Sequence, residues 1–486
     1  MAPRAPDAAD SPPPVAPWAD RLARAAWALA LRLATPAYLL RLWRRGTAEP
    51  GYRSHLGERL GLYGDRPRPA AGAIWVHAVS LGETRAAQPL VEALRAAHPG
   101  RALLLTHGTA TGREAGAALL QAVAGRVGAH ADDRQAWLPY DTPGAVRRFL
   151  RWQRPSVGVL METELWPALM HAAERQGLPV VLANARLSAR SARKGERLRA
   201  LLHPAAARLS RVLAQTAADA QRLRAAGARD VQVAGNLKYD LDPPPALLAL
   251  GRHWRDAIAA PRPVVLAAST REGEEAPLLA AWQAALGARP AAAPRPLLLL
   301  VPRHPQRFDE VAALVRQQGL TLERRSAWKP TPSAVPAEPS AAIAQPLRDV
   351  LAERGQPPAE ALDADVWLGD SLGEMPLYYA SAQAALLGGS FAPLGGQNLI
   401  EAAACGCPLV MGPHTFNFEQ AAEDSLAAGA SQRVDGIEAG VAAALALAVA
   451  ADRPSWEARA RDFAAAHRGA ARRMAAAIVP GAAGAV

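Results

Sequence analysis

The sequence predicts an α/β protein of two doubly wound, Rossmann-like domains with an amphipathic helix in front of them. Three observations carry this. From residue 70 onward, short apolar runs of strand length alternate with stretches of helical periodicity. The alternation occurs twice, and the proline cluster "DPPP" at residues 242–245 separates the two series. The strand-length runs are apolar throughout, as expected of parallel strands covered by helices on both faces. A chain of 486 residues, half of them hydrophobic, is long enough for two or three domains with sizeable cores.

Residues 1–17 are rich in Pro and Ala and read as a disordered start. Residues 18–45, "WADRLARAAWALALRLATPAYLLRLWRR", read as an amphipathic membrane-anchor segment. Charges run through it and no small-residue cleavage site follows its apolar part, which argues against a secretory signal. Its uninterrupted apolar runs fall short of the ~20 residues that a spanning helix needs, so the expectation is a helix in the membrane interface or a marginal anchor. Trp18, Trp27 and Trp43 would sit at headgroup level, with the arginines toward anionic lipid. The alternative is a helix packed on the protein's own core.

The first domain, 46–241, carries strand-like runs at 73–78, 102–106, 157–160, 179–183, 212–215 and 231–234, with helices expected over 84–97 and 165–176. A linker follows at 242–262. The second domain, 263–450, has its runs at 264–268, 297–301, 365–368, 384–387 and 408–411, and a Pro/Ala-rich flexible insertion at 326–361. Residues 451–486 form a C-terminal helix and tail. Two such domains imply a cleft between them, with ligands gathered at the carboxyl ends of the strands.

Composition narrows the chemistry. The formal charge is +11 and only Lys194, Lys238 and Lys329 are lysines, so the positive charge is almost all arginine. That sign suits phosphates, acidic sugars or an anionic lipid surface. Cys405 and Cys407 are too close for an ordinary disulfide, and no second Cys/His pair stands at ligand spacing, so no metal is expected. Neither domain has a G-x-G-x-x-G after its first strand, and there is no Walker A sequence, which disfavours nicotinamide, flavin or P-loop chemistry. No cofactor is expected. Helix-turn-helix, zinc and aromatic-basic signatures are missing, so nucleic acid is not an expected partner.

The chemistry-bearing motifs stand where strands give way to helices. "HAVSLGETRA" at 77–86 places a lone carboxylate, Glu83, in a first helical turn, where an acid complements the helix dipole; on spacing alone this is its plain reading. His77 in the same motif and His414 read as hydrogen-bonded core residues. In "ASTREGEE", Ser269 and Thr270 can bond a phosphate. In "PRHPQRF", Arg303 and His304 can grip a phosphate or carboxylate. "GDSLGEM" contributes Gly373 and Glu374. "GGSFAPLGGQNLIEAAACGCPLVMGP" concentrates glycines before a helix headed by Asn398 with Glu401 one turn on, where backbone amides can approach a nucleotide and the acid can accept from ribose hydroxyls. Each motif alone is weak. Four in register on one sheet edge argue for nucleotide binding.

In order along the chain, "HAVSLGE", "METELWP", "NARLSARS", "QTAADAQRL", "GNLKYD", "ASTREGEE", "PRHPQRF", "GDSLGE" and "GGSFAPLGGQNLIEAAACGCPLVMGPHTFNFEQ" resemble the motifs of the 3-deoxy-D-manno-octulosonic acid (Kdo) transferases of lipopolysaccharide assembly. The resemblance spans residues 20–470 apart from the insertion. Arg271 and Gln397 stand where that family usually has His, and Ala402 where it has Pro. The resemblance implies a GT-B glycosyltransferase at the cytoplasmic face of the inner membrane, with CMP-Kdo as donor and the lipid A precursor, lipid IVA, as acceptor. It implies an inverting transfer with Glu83 as general base. Glu162 and Glu164 are the competing carboxylates, able to bind acceptor hydroxyls or orient the base, and Arg186 and Lys238 can meet anionic groups on acceptor or donor. A non-hydrolysing nucleotide-sugar epimerase would share the two-domain architecture and is the alternative.

Overall fold

The computed structural model describes residues 15–257, 262–290, 292–328 and 354–478. Most of the expected insertion lies outside them, as does nearly all of the expected disordered start. The chain forms two compact units. One comprises the residues up to Leu241 together with those from Arg468 onward, and the other runs from Asp242 to His467. Each holds a parallel sheet of seven strands among the described residues.

In the first unit the strands are β1 (Ile74–His77), β2 (Leu103–His107), β3 (Arg134–Trp137), β4 (Val157–Met161), β5 (Val180–Ala185), β6 (Arg211–Ala214) and β7 (Val231–Val233), in the order β3-β2-β1-β4-β5-β6-β7. All pairings are parallel. The second unit contains β8 (Val264–Thr270), β9 (Leu297–Pro302), β10 (Leu322–Arg324), β11 (Val366–Leu368), β12 (Ala384–Leu387), β13 (Leu409–Met411) and β14 (Ser431–Arg433), ordered β10-β11-β9-β8-β12-β13-β14. Eleven of these strands coincide with the apolar runs to within a residue or two. The other three, β3, β10 and β14, are sheet edges with the sequences RQAW, LER and SQR. An edge strand pairs on one side only and needs no continuous apolar run, so periodicity does not announce it.

Helix α1 (Pro17–Arg45) is continuous through Pro36. One face docks on the first unit: Trp27 donates its indole N–H to Asp141 at 3.0 Å, and Asp20 pairs with Arg208 at 2.7 Å. The opposite face is bare. Trp18, Leu22, Leu29, Leu33, Leu40 and Trp43 are exposed, from 50% at Leu40 to 73% at Leu33. At 100° per residue these six fall within about 80° of arc. Exposed Arg21, Arg32 and Arg44 border that stripe. No helix among the described residues is long and apolar enough to cross a membrane.

Three further helices lead to the sites. Helix α2 (Leu81–Ala97) follows β1, α3 (Pro167–Arg175) follows β4, and α4 (Pro245–Ala257) falls in the stretch expected to be a linker. The prolines do mark a break, but Leu247, Leu250 and Trp254 beyond them recur at helical spacing and are buried in the second unit. There Trp254 meets Trp328 and Trp367 edge-on, at 5.0 and 6.3 Å between centroids. The second unit also contains α5 (Glu275–Gly287), α6 (Met375–Ser381) and α7 (Leu399–Ala404). Finally α8 (Ala470–Ile478), read from sequence as part of a C-terminal helix and tail, returns to the first unit, where Met474 and Ile478 join a core containing Val91 and Leu94. Asp240 accepts the amides of Gly469 and Ala471 and caps its start.

Candidate functional site

Both sheets reverse their winding direction once, between β1 and β4 in the first unit and between β8 and β12 in the second. At such a switch point the loops leaving neighbouring strands diverge to opposite faces and open a crevice at the strand carboxyl ends. The candidate residues gather at these two places.

In the first unit, Ser80 caps α2 by accepting the Glu83 amide at 3.4 Å. The Glu83 carboxylate reaches back to accept the Val79 amide at 2.9 Å and the Ser80 hydroxyl at 3.3 Å. This differs from a capping box in that the carboxylate takes the amide before the N-cap rather than that of Ser80 itself, but it gives the acid a helix-terminal role. It is nevertheless half-buried, and burial, joined by the charge of Glu162, raises its carboxyl above the ordinary range despite the Val79 hydrogen bond. Glu162 and Glu164 come from the end of β4 and Arg186 from the end of β5; Arg186 Nε lies 3.5 Å from Glu162 Oε2. Lys238 follows β7, and burial lowers its ammonium pKa against the opposing pull of Glu162. Burial and the neighbouring Glu83 push the Glu164 carboxyl up to about 7. Three acids and two cations from four strand ends therefore share one patch.

Two residues there have left-handed backbone, Glu162 (φ 56°) and Asn184 (φ 51°). Asn184 sits in an irregularity of the β5–β6 pairing and accepts the Leu237 amide through Oδ1, next to Lys238. It is absent from the candidate residues read from the sequence. The available signal was an Asn inside the buried run VVLANA, a residue that tolerates this conformation where Val or Leu would not. His77 is wholly buried against Thr106, and burial first, then His107, drops its pKa to about 3, so it is a neutral core residue. Beside Glu164 lies a recess of about 230 Å³ whose apolar walls include Trp27, Trp166, Leu198, Leu201 and Leu202.

In the second unit β8 ends in a bulge at Ser269, itself left-handed at φ 58°, while Thr270 is buried. Gly388, just after β12, packs so closely that a Cβ would lie 2.3 Å from the Ser269 carbonyl oxygen. Arg303 and His304 are exposed after β9. Burial and then the charges of Arg271, Arg303 and Arg307 lower the His304 pKa, which places three guanidinium groups around one imidazole. Asn398 heads α7 with its Oδ1 buried and without a hydrogen-bond partner among the described residues. Glu401 is half-buried one turn on.

Gly373 occupies an exposed turn with φ 79°, but Glu374 beside it is buried inside the unit. Ser371, Arg354 and Arg325 bind its carboxylate at 2.5, 2.8 and 3.0 Å. Burial alone would raise its pKa; these partners outweigh burial and lower it. The glycine-rich loop differs from expectation in a related way. The amides of Gly389, Phe391 and Ala392 do not face outward toward a ligand; they point at a buried carboxylate, Glu274.

Residues 54–241 match the family described as 3-Deoxy-D-manno-octulosonic-acid transferase (kdotransferase). A 3-deoxy-D-manno-octulosonic acid transferase of Bordetella pertussis is 48% identical over 93% of this chain and 98% of its own. That of Haemophilus influenzae is 34% identical over 80% of this chain and 82% of its own. The chain belongs to the Kdo transferase family. It is a glycosyltransferase, which decides against the epimerase alternative. A solved glycosyltransferase from Rickettsia africae is 10% identical, with 85% of this chain and 100% of that one covered at a TM-score of 0.53, a likeness of fold. The two parallel-sheet domains are those of the GT-B class.

The raised Glu164 carboxyl makes a stability prediction. A group at about 7 when folded and 4.5 when unfolded binds its proton more tightly in the native state. It therefore contributes stability that is complete below the lower value and lost as pH rises through the upper one. Glu164→Gln is expected to raise unfolding stability near about pH 8, by about 1–2 kcal/mol once solvent screening is allowed for, and to do little at about pH 4. Thermal melts at the two pH values measure this, and an equal effect at both would contradict it.

Proposed function

We propose that this Kdo transferase takes Kdo from CMP-Kdo and delivers it to lipid IVA, with inversion at the anomeric carbon, Glu83 as general base, and the inner-membrane surface as workplace. The observation that carries the reading is the state of Glu83. It is a carboxylate fixed by Val79 and Ser80, half-buried, with its basicity raised by burial and by a neighbouring acid. A base of raised pKa is the more able to take a proton from a sugar hydroxyl.

In the proposed step the acceptor oxygen bonds to the anomeric carbon of Kdo as the bond from that carbon to the phosphate oxygen breaks. The bonding pair leaves with CMP, and the hydroxyl proton passes to Glu83. A single in-line displacement inverts configuration. Arg303, His304 and the nearby Arg271 neutralise the departing phosphate, and the hydroxyls of Ser269 and Thr270 add hydrogen bonds. Asn398 and Glu401 take up donor hydroxyls. Gly373 leaves the turn before Glu374 open, and Glu374 supports that loop from within. On the acceptor side, Glu162 and Glu164 bind sugar hydroxyls, and Arg186 and Lys238 meet anionic groups.

The apolar recess beside Glu164 and the bare stripe of α1 support a lipid acceptor taken from a membrane surface. The stripe is bordered by arginines, as an anionic cytoplasmic leaflet would favour. A second reading, with Glu164 as base, has its pKa of about 7 in its favour.

Three outcomes are expected. Glu83→Gln keeps size and one acceptor oxygen for the Val79 amide, but it removes proton acceptance. Turnover should fall by a factor on the order of 10² or more with melting temperature and CMP affinity nearly unchanged. Near-normal turnover would transfer the role to Glu164. Leu29→Glu with Leu33→Glu should abolish co-flotation with anionic vesicles while leaving the fold intact, since both side chains are exposed; undiminished flotation would exclude α1 as the contact. Because arginines surround the candidate phosphate site, transfer should survive EDTA, and a collapse restored by magnesium would overturn that assignment.

A further inference from the structure

Glu274 is buried at the N-terminus of α5, and its carboxylate accepts four backbone amides and nothing else among the described contacts. Oε2 takes Arg271 at 2.9 Å and Gly389 at 2.7 Å, and Oε1 takes Phe391 at 3.1 Å and Ala392 at 3.3 Å. The first amide belongs to the loop after β8 and the other three to the loop after β12. One side chain therefore bridges the switch point of the second sheet, tying together the two loops that a doubly wound topology drives apart.

The bridge extends toward the donor residues. Gly389, held by its amide, accepts the Gly396 amide on its carbonyl at 2.7 Å. Gly396 is followed directly by Gln397 and then Asn398, the head of α7. On the other side Ser390 is fixed by Gly412, which donates to its hydroxyl at 2.9 Å, and by His414, which donates to its carbonyl. A loop with several left-handed glycines has many conformations open to it. Four charge-assisted hydrogen bonds from a single carboxylate select one of them.

We propose that Glu274 is a positioning residue of the transfer reaction: it sets the loop that presents Asn398 and Glu401 to the donor. By occupying the amides of Gly389, Phe391 and Ala392 it also withholds them from the donor's anionic groups, so those groups are recognised by the side chains Arg271, Arg303 and His304. This role rests on the reading of the second unit as the donor domain.

The discriminating variant is Glu274→Gln. Glutamine keeps the volume and one acceptor oxygen but turns an NH₂ group toward two N–H donors, which cannot bond to it. A control is Asp365→Asn, which weakens another buried carboxylate at the amino ends of β10 and β11 in the same sheet, where Asp365 accepts the Thr321 amide and hydroxyl. On full-length protein, CMP binding, hydrogen exchange of residues 388–392, and KM and kcat for both substrates are measured. Glu274→Gln is expected to lose exchange protection over those residues and to raise KM for CMP-Kdo on the order of tenfold or more, with KM for the lipid acceptor little changed. Asp365→Asn is expected to lower the melting temperature without that split. If the unaltered chain binds CMP and Glu274→Gln leaves donor KM within a factor of about two, or Asp365→Asn reproduces the split, the positioning role is overturned. If the unaltered chain does not bind CMP, the donor-domain reading falls first and takes this role with it.

Discussion

Every other feature of this protein depends on parallel pairing of strands buried on both faces. Such strands have no polar face to offer, so polar chemistry is displaced to their ends. At the carboxyl ends, chain reversals expose amides, hydroxyls and helix N-termini, and where the winding direction changes the loops part. The acid patch of the first unit lies beside the β1–β4 switch, and the Ser269 bulge and the glycine-rich loop lie beside the β8–β12 switch. Left-handed residues collect there as well: Glu162, Asn184 and Ser269 are three of the five non-glycine cases among the described residues. Such conformations cost about 1–3 kcal/mol each and persist where surrounding contacts impose them.

Carboxylates wholly or partly removed from solvent stand in two opposite environments. Glu274 and Glu374 are saturated with donors and serve as internal clips. The carboxyls of Glu83 and Glu164 have fewer donors and acidic neighbours, and burial raises both. The number of N–H and O–H groups that converge on a carboxyl thus decides whether its proton affinity is held down or raised. In the second unit this occupies the amides of Gly389, Phe391 and Ala392 with a carboxylate of the chain itself.

Helix α1 divides its labour by face. Asp20 and Trp27 dock it through hydrogen bonds to Arg208 and Asp141, which holds the apolar stripe at a fixed place on the first unit. The core-packed reading of this segment describes one side of it: half of the helix is packed on the protein and half is left bare.

The α/β class, eleven of the fourteen described strands and the positions of the chemistry-bearing motifs are legible in the amino-acid order, because burial on both faces writes a continuous apolar run and strand-to-helix turns require recognisable polar and glycine residues. The polar edge strands, and the helix α4 in a stretch taken for a linker, escaped it, since their placement comes from pairing and from the Trp254 cluster rather than from local pattern. The different surroundings of the acids likewise come only from tertiary contacts. Nothing in "GEM" or "GEE" distinguishes an acid wired into arginines or amides from one with few donors and acidic neighbours. That difference depends on which donors arrive from distant strands, and sequence spacing carries no record of them.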